Sequence, residues 1–253
     1  LWNLPLSDGE ALTLLQNLLQ TTVAEAFWAE LRDFAQDMRA RAIGPRGRES
    51  LDKLMPWVLN ACIKDSNQPQ VVLQRLTGVV KAVCRRTAYL DLLLENPGAL
   101  AQLVRLCNAS PWIAEQIGRF PILLDELLNP QHLYQLAPLD GYFNELRQFM
   151  LRIPEQDLEA RMEAMRQFKL GQQLKIAAAD VTHVLPLMKV SDHLTFLAEA
   201  MIKQVVLDAW QQMTERYGRP AGLDGSDLGF GVIAYGKLGG IELGYGSDLD
   251  LVF

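Results

Sequence analysis

The 253-residue chain carries 24 Lys and Arg against 30 Asp and Glu, a net charge of −6, with 49% hydrophobic and 21% charged residues. That composition supplies a buried core for one large domain or two of ordinary size. The acidic balance argues against a general nucleic-acid binder, which carries a basic excess, and no apolar run approaches the ~20 residues needed to cross a bilayer.

The chain opens on Leu1 rather than Met, as expected of a piece of a longer polypeptide, and no signal-peptide pattern follows. From Glu10 to Phe34, Leu12, Leu15, Leu19, Val23, Phe27, Leu31 and Phe34 recur every three or four residues. This single stripe predicts one amphipathic helix. Gly44-Pro45-Arg46-Gly47 interrupts it. Arg39, Arg41, Arg46 and Arg48 surround that break, with Asp37 and Glu49 beside them. They read as a solvated interhelical loop rather than a phosphate site, because arginines are mostly exposed. A second long helix is predicted from Gln70 to Leu94, with Val72, Leu76, Val79, Val80 and Val83 as its apolar face. Cys62, Cys84 and Cys107 form no C-x-x-C pair and have no neighbouring histidine. They are expected to be buried on helix faces in a reducing, cytoplasmic setting.

A run of short helices comes next. Asn96-Pro97 and Ser110-Pro111 each place a capping residue before a proline at the first helical position, where its missing N–H is no loss. Phe120-Pro121 starts a third short helix and Asn129-Pro130 closes it. Met162 to Val181 reads as another helix, whose Ala177, Ala178 and Ala179 predict close backbone packing. Ser191 or Asp192 is expected to cap a last long helix ending at Tyr217, with Gly218 and Pro220 as its stop. His132, His183 and His193 show no metal-ligand spacing and are read as packing or helix-end residues. Roughly the first 218 residues are therefore predicted to be helical.

After a loop over Ala221–Leu228 that contains Asp224, Gly225, Ser226 and Asp227, the pattern changes. Gly229 to Tyr235 is short, apolar and rich in strand formers, and Leu249, Leu251 and Phe253 alternate with Asp248, Asp250 and Val252. Between these two predicted strands lies a glycine-rich turn. Gly231 to Lys237 spells G-x-x-x-x-G-K, but Leu238 stands where a P-loop needs Ser or Thr. Gly236-Lys-Leu-Gly239-Gly240 likewise fails the Rossmann spacing. Asp248 and Asp250, two apart on a strand, are expected to project from one face, with Leu249 turned to the core. Carboxylates held so close repel unless a cation lies between them, and hard oxygen ligands suit Mg²⁺ with waters and phosphates completing its shell. The bare backbone from Lys237 to Gly240 suits close approach of a polyphosphate, and Lys237 adds a point charge.

This order of strand, glycine turn and D-x-D strand resembles the DNA polymerase β-like nucleotidyltransferase superfamily. The string Y-G-K-L-G-G-I-E-L-G-Y-G-S-D-L-D-L is similar to the hallmark of the glutamine synthetase adenylyltransferase family, as are the N-P, S-P and F-P helical series and Gln167 to Asp180. The resemblance implies a mainly α chain, with residues 1–220 a helical lead-in and 221–253 the beginning of a nucleotidyltransferase domain. It implies transfer of AMP from ATP to a tyrosine of glutamine synthetase, with Asp248 and Asp250 catalytic and bound to Mg²⁺. Gly236, Lys237, Gly239, Gly240 and Ser247 would bind the nucleotide, and Glu242 matches the family's E-L pair. The superfamily takes a third carboxylate from a later strand, so this chain is expected to be inactive alone. The PII signal protein and glutamine are the implied regulators. Alternatives are the homologous deadenylylating half and a helical regulatory module.

Overall fold

The computed structural model describes residues 1–64, 66–223 and 228–253. The loop residues Asp224, Gly225, Ser226 and Asp227 lie outside the described residues. Contacts divide the chain into two compact units, Leu1–Leu133 and Tyr134–Phe253. The mainly helical expectation holds.

The first unit contains α1 (Asp8–Gln16), α2 (Thr21–Ala40), α3 (Pro45–Lys64), α4 (Pro69–Val83), α5 (Thr87–Glu95), α6 (Pro97–Ala109) and α7 (Pro111–Arg119), then a 3₁₀ turn (Pro121–Leu128) and α8 (Pro130–Leu133). Ser7 and Glu10 form a capping box on α1: the Glu10 N–H donates to Ser7 Oγ at 3.4 Å, and Glu10 Oε2 accepts from the Ser7 N–H at 2.9 Å. The single helix expected over Glu10–Phe34 is instead two. The chain leaves the helix at Asn17 and re-enters at Thr21, while Leu15 and Phe27 stay buried on either side. The stretch from Gln70 to Leu94 also divides, at a turn closed by the Arg86 N–H on the Val83 carbonyl at 2.7 Å.

Of the arginines expected in a solvated loop, Arg39 and Arg46 are exposed, while Arg41, Arg46 and Arg48 bond to the helices around it. Arg41 grips Asp37 with two nitrogens, at 3.1 and 3.2 Å, and donates to the Lys81 carbonyl. Arg48 donates to the Met38 carbonyl at 2.7 Å, and Arg46 pairs with Asp91 at 2.8 Å. Pro45 begins α3 instead of ending a helix. Gly47 is buried within α3, where an added Cβ would stand 3.1 Å from both Ile43 and Thr87. The proline-marked starts hold at Pro97, Pro111 and Pro121, the last opening a 3₁₀ turn, whereas Pro130, expected only to close that segment, also begins α8. Ser110 accepts from the Ile113 N–H at 3.3 Å as the N-cap of α7. All three cysteines are buried, and burial pushes the Cys107 thiol up to about 12.

The second unit contains a short 3₁₀ turn (Leu139–Gly141), α9 (Tyr142–Met150), α10 (Leu158–Val181), α11 (Leu187–Tyr217), β1 (Ile233–Tyr235), α12 (Gly236–Gly239) and β2 (Asp250–Val252). Asp157 caps α10 by accepting from the Ala160 N–H at 3.0 Å. Helix α11 begins upstream of the expected Ser191 or Asp192 cap, and Asp192 pairs within the helix with Lys189 at 2.8 Å. Gly218 ends α11 at φ 78, and its N–H donates to the Thr214 carbonyl. Leu146, Phe168, Leu194 and Leu197 centre the core, with Ala177, Ala178 and Ala179 also buried. Within this unit Arg161 and Asp208 form a bidentate pair at 2.6 and 3.1 Å, with side chains 10% and 8% exposed. Gln204 donates to the same carboxylate at 2.7 Å. Buried His193 meets the Tyr142 hydroxyl at 2.8 Å, and burial holds its imidazole below the ordinary histidine value.

Leu238 and Leu243 carry the tail onto this core, 3% and 4% exposed, and Leu251 packs against it from β2. No helix among the described residues is long and apolar enough to cross a membrane.

Candidate functional site

β1 and β2 pair antiparallel with Ile233 opposite Val252, Ala234 opposite Leu251 and Tyr235 opposite Asp250. Both are shorter than the predicted strands. Gly236 takes φ +56 directly after Tyr235 and turns the chain away, so nothing remains for residues before Asp250 to pair with. Asp248 therefore lies ahead of the strand, not on it. Leu251, half-buried, turns to the core in place of Leu249, which is 42% exposed.

The glycine turn is shaped by close backbone approach. A Cβ on Gly236 would run into the Asp250 carboxylate, and one on Gly239 would lie 2.5 Å from the Ala234 carbonyl oxygen. The turn closes through the Gly240 N–H on the Gly236 carbonyl at 3.0 Å and the Glu242 N–H on the Lys237 carbonyl at 2.8 Å. Gly236, Lys237, Gly239 and Gly240 are all exposed, as phosphate approach requires.

Ser247 closes a second turn. Its Oγ accepts from the Gly244 N–H at 2.9 Å and its N–H donates to the Gly244 carbonyl at 3.1 Å. Those bonds leave the hydroxyl hydrogen available to a ligand. Beside Ser247 opens a cavity of about 150 Å³, lined by Lys169, Gln173, Met201, Tyr245, Ser247 and Leu249 among others. The Tyr245 hydroxyl donates to Asp180 Oδ2 on α10 at 3.0 Å. Burial and that bond to a carboxylate both push the phenol's ionisation upward. Neither Tyr245 nor Asp180 was singled out by motif spacing, since 65 residues separate them.

Asp248 and Asp250 are both exposed. Among the described residues, neither carboxylate has a cationic side chain paired to it, and no group of three or more His, Cys, Asp and Glu gathers as a metal site. Two solvent-facing carboxylates beside bare glycine backbone fit Mg²⁺, which commonly takes one or two carboxylates and completes its shell with waters and substrate phosphates. The exposed Asp250 carboxylate abuts the glycine turn at Gly236, with exposed Asp248 and half-buried Ser247 just before it in the chain.

A family model described as glutamate-ammonia ligase adenylyltransferase matches residues 100–253. Over its whole length the chain is 57% identical to the bifunctional glutamine synthetase adenylyltransferase/adenylyl-removing enzyme of Shewanella oneidensis. It is 53% identical to the protein of that name from Idiomarina loihiensis and 50% identical to that from Vibrio parahaemolyticus. It spans 26% to 27% of the length of these relatives.

Proposed function

Because the chain belongs to the glutamate-ammonia ligase adenylyltransferase family, we propose that it is part of a Mg²⁺-dependent enzyme that transfers AMP from ATP to a tyrosine of glutamine synthetase. Residues 221–253 begin a polymerase β-like nucleotidyltransferase domain, and residues 1–220 are its helical lead-in. The observation that carries this reading is the exposed Asp250 carboxylate set against the bare backbone of Gly236, with exposed Asp248 two residues before it.

Asp250 is held by its pairing with Tyr235 and by the space that Gly236 leaves open. Asp248, directly after the turn-closing Ser247, supplies the second carboxylate. Bound there, Mg²⁺ supplies charge stabilisation at the α-phosphate and lowers the pKa of the attacking tyrosine hydroxyl. Gly239 and Gly240 let the polyphosphate reach the backbone, Ser247 donates its hydroxyl hydrogen, and Lys237 contributes a point charge. The E-L-G-Y-G-S-D-L-D wording and the long helical lead-in favour the adenylylating half over the adenylyl-removing one. The third carboxylate comes from elsewhere in the polypeptide, so the chain is inactive alone. The setting is cytoplasmic, with PII signal protein and glutamine as regulators.

The test uses the full-length polypeptide that carries this segment. Glutamine synthetase with ATP should gain labelled AMP, and Asp248→Asn or Asp250→Asn should abolish that gain. Activity surviving in both variants sinks the metal reading. Reaction only with AMP-modified glutamine synthetase and phosphate assigns the segment to the removing half.

A further inference from the structure

The tail from Gly229 to Phe253 has a weak hold of its own. Its sheet is two strands of three residues each, and an isolated two-stranded pair is marginal in water. Leu238 and Leu243 are its only side chains in the buried core among the described residues, and both precede the Gly244–Ser247 turn. Between Leu243 and the first β2 pairing at Asp250, Tyr245 bonds this segment to a helix through its hydroxyl on Asp180.

Asp180 is out of place by local rules. It lies in the last turn of α10, which contains no basic residue, and a carboxylate there opposes the helix macrodipole. The helix end is already closed by backbone: the His183 N–H donates to the Asp180 carbonyl at 2.9 Å, and the Val184 and Leu185 N–H groups donate to the Ala179 carbonyl. Its carboxylate is therefore not needed for closing the helix. A partner from outside the helix accounts for it, and the structure shows that partner to be Tyr245.

We propose that the Asp180–Tyr245 hydrogen bond is a positioning device, anchoring the segment that carries Ser247, Asp248 and Asp250 to α10 so that the two carboxylates are held ready for the cation. The inference rests on the reading of Asp248 and Asp250 as the Mg²⁺ carboxylates. Asp248 is three positions after Tyr245, at most about 10 Å along the chain, so loosening the anchor loosens the carboxylates. Tyr245 and Asp180 touch neither the nucleotide nor the metal in this scheme. They act through the aspartates.

The test compares Tyr245→Phe, Asp180→Ala, the double variant and Asp248→Asn in the full-length polypeptide. Three quantities are read: the Mg²⁺ dependence of AMP transfer, amide hydrogen exchange over residues 244–250, and the thermal midpoint. Either single variant should raise the half-saturating Mg²⁺ concentration by about fivefold to tenfold, the scale of one lost hydrogen bond to a charged group at a half-exposed site. Exchange over 244–250 should quicken by a similar factor, the midpoint should hold, and the double variant should be no worse than either single one. Unchanged Mg²⁺ dependence and exchange in both single variants, or a lowered midpoint with Mg²⁺ dependence unaltered, overturns the proposal. Asp248→Asn separates the two readings. If it leaves AMP transfer intact, the metal assignment fails, and the proposal built on it fails too. If it abolishes transfer while Tyr245→Phe changes nothing, only the anchor fails.

Discussion

Substituting Gly236 with Ala separates backbone strain from catalytic geometry. At φ +56 an L-residue costs about 1–2 kcal/mol relative to its favoured regions. The added methyl also meets the Asp250 carboxylate, the far end of a rotatable side chain, so the chain still folds. To reach ordinary contact the carboxylate must shift by about 1 Å, and misplacement of that size at reacting groups costs on the order of 10²-fold. The expected result in the full-length polypeptide is therefore a midpoint lowered by only a few degrees with AMP transfer reduced about 10²-fold. Gly231→Ala is the control, since an added Cβ there meets nothing within 4 Å. If Gly236→Ala transfers AMP as fast as Gly231→Ala, with the same Mg²⁺ dependence, the coupling between this turn and Asp250 does not exist.

Three further outcomes are expected. Removing one partner of the Arg161–Asp208 pair, as in Arg161→Met, should lower stability to denaturant by about 3–5 kcal/mol, whereas Arg161→Met with Asp208→Leu should be close to neutral; equal effects of the single and double variants contradict this. His193 has its folded pKa depressed below 6.5, so as pH falls through that value the unfolded chain takes up the proton first. Stability should be full above about pH 6.5 and decline below it, and His193→Gln should flatten that part of the pH profile. Cys62, Cys84 and Cys107 should resist thiol labelling in the native chain at pH 8 and all react once urea unfolds it, because each is buried; fast labelling of a native thiol refutes the burial.

The parts of this fold legible in the sequence are those set by local chemistry. Proline fixes its own φ and lacks an N–H, so Pro97, Pro111 and Pro121 announce helix starts whatever surrounds them. The breaks at Asn17–Gln20 and Cys84–Arg86 carry neither proline nor glycine, and the apolar stripe continues across each; the packing of α1 on α2 and of α4 on α5 decides them. Gly47 reads as a breaker yet serves the close contact with Thr87, a partner 40 residues away that periodicity cannot see. In the tail, the D-x-D spacing is plain in the sequence. The length of its strand is not, because β2 extends only as far as β1 can pair with it. The Tyr245–Asp180 bond is purely tertiary and leaves only an indirect trace, a carboxylate at the wrong end of a helix.

The helices from α5 to the 3₁₀ turn share their boundary residues. Asn96 ends α5 and begins α6, Ser110 ends α6 and begins α7, and Phe120 ends α7 and begins the 3₁₀ turn. Joints one residue long contain no slack. Deleting or adding a residue within one of these helices would rotate everything after it by about 100° and swing an apolar face into water. A substitution on an exposed face here leaves the register of the later helices intact, whereas a change of length does not, so the stretch acts as a ruler with fixed divisions.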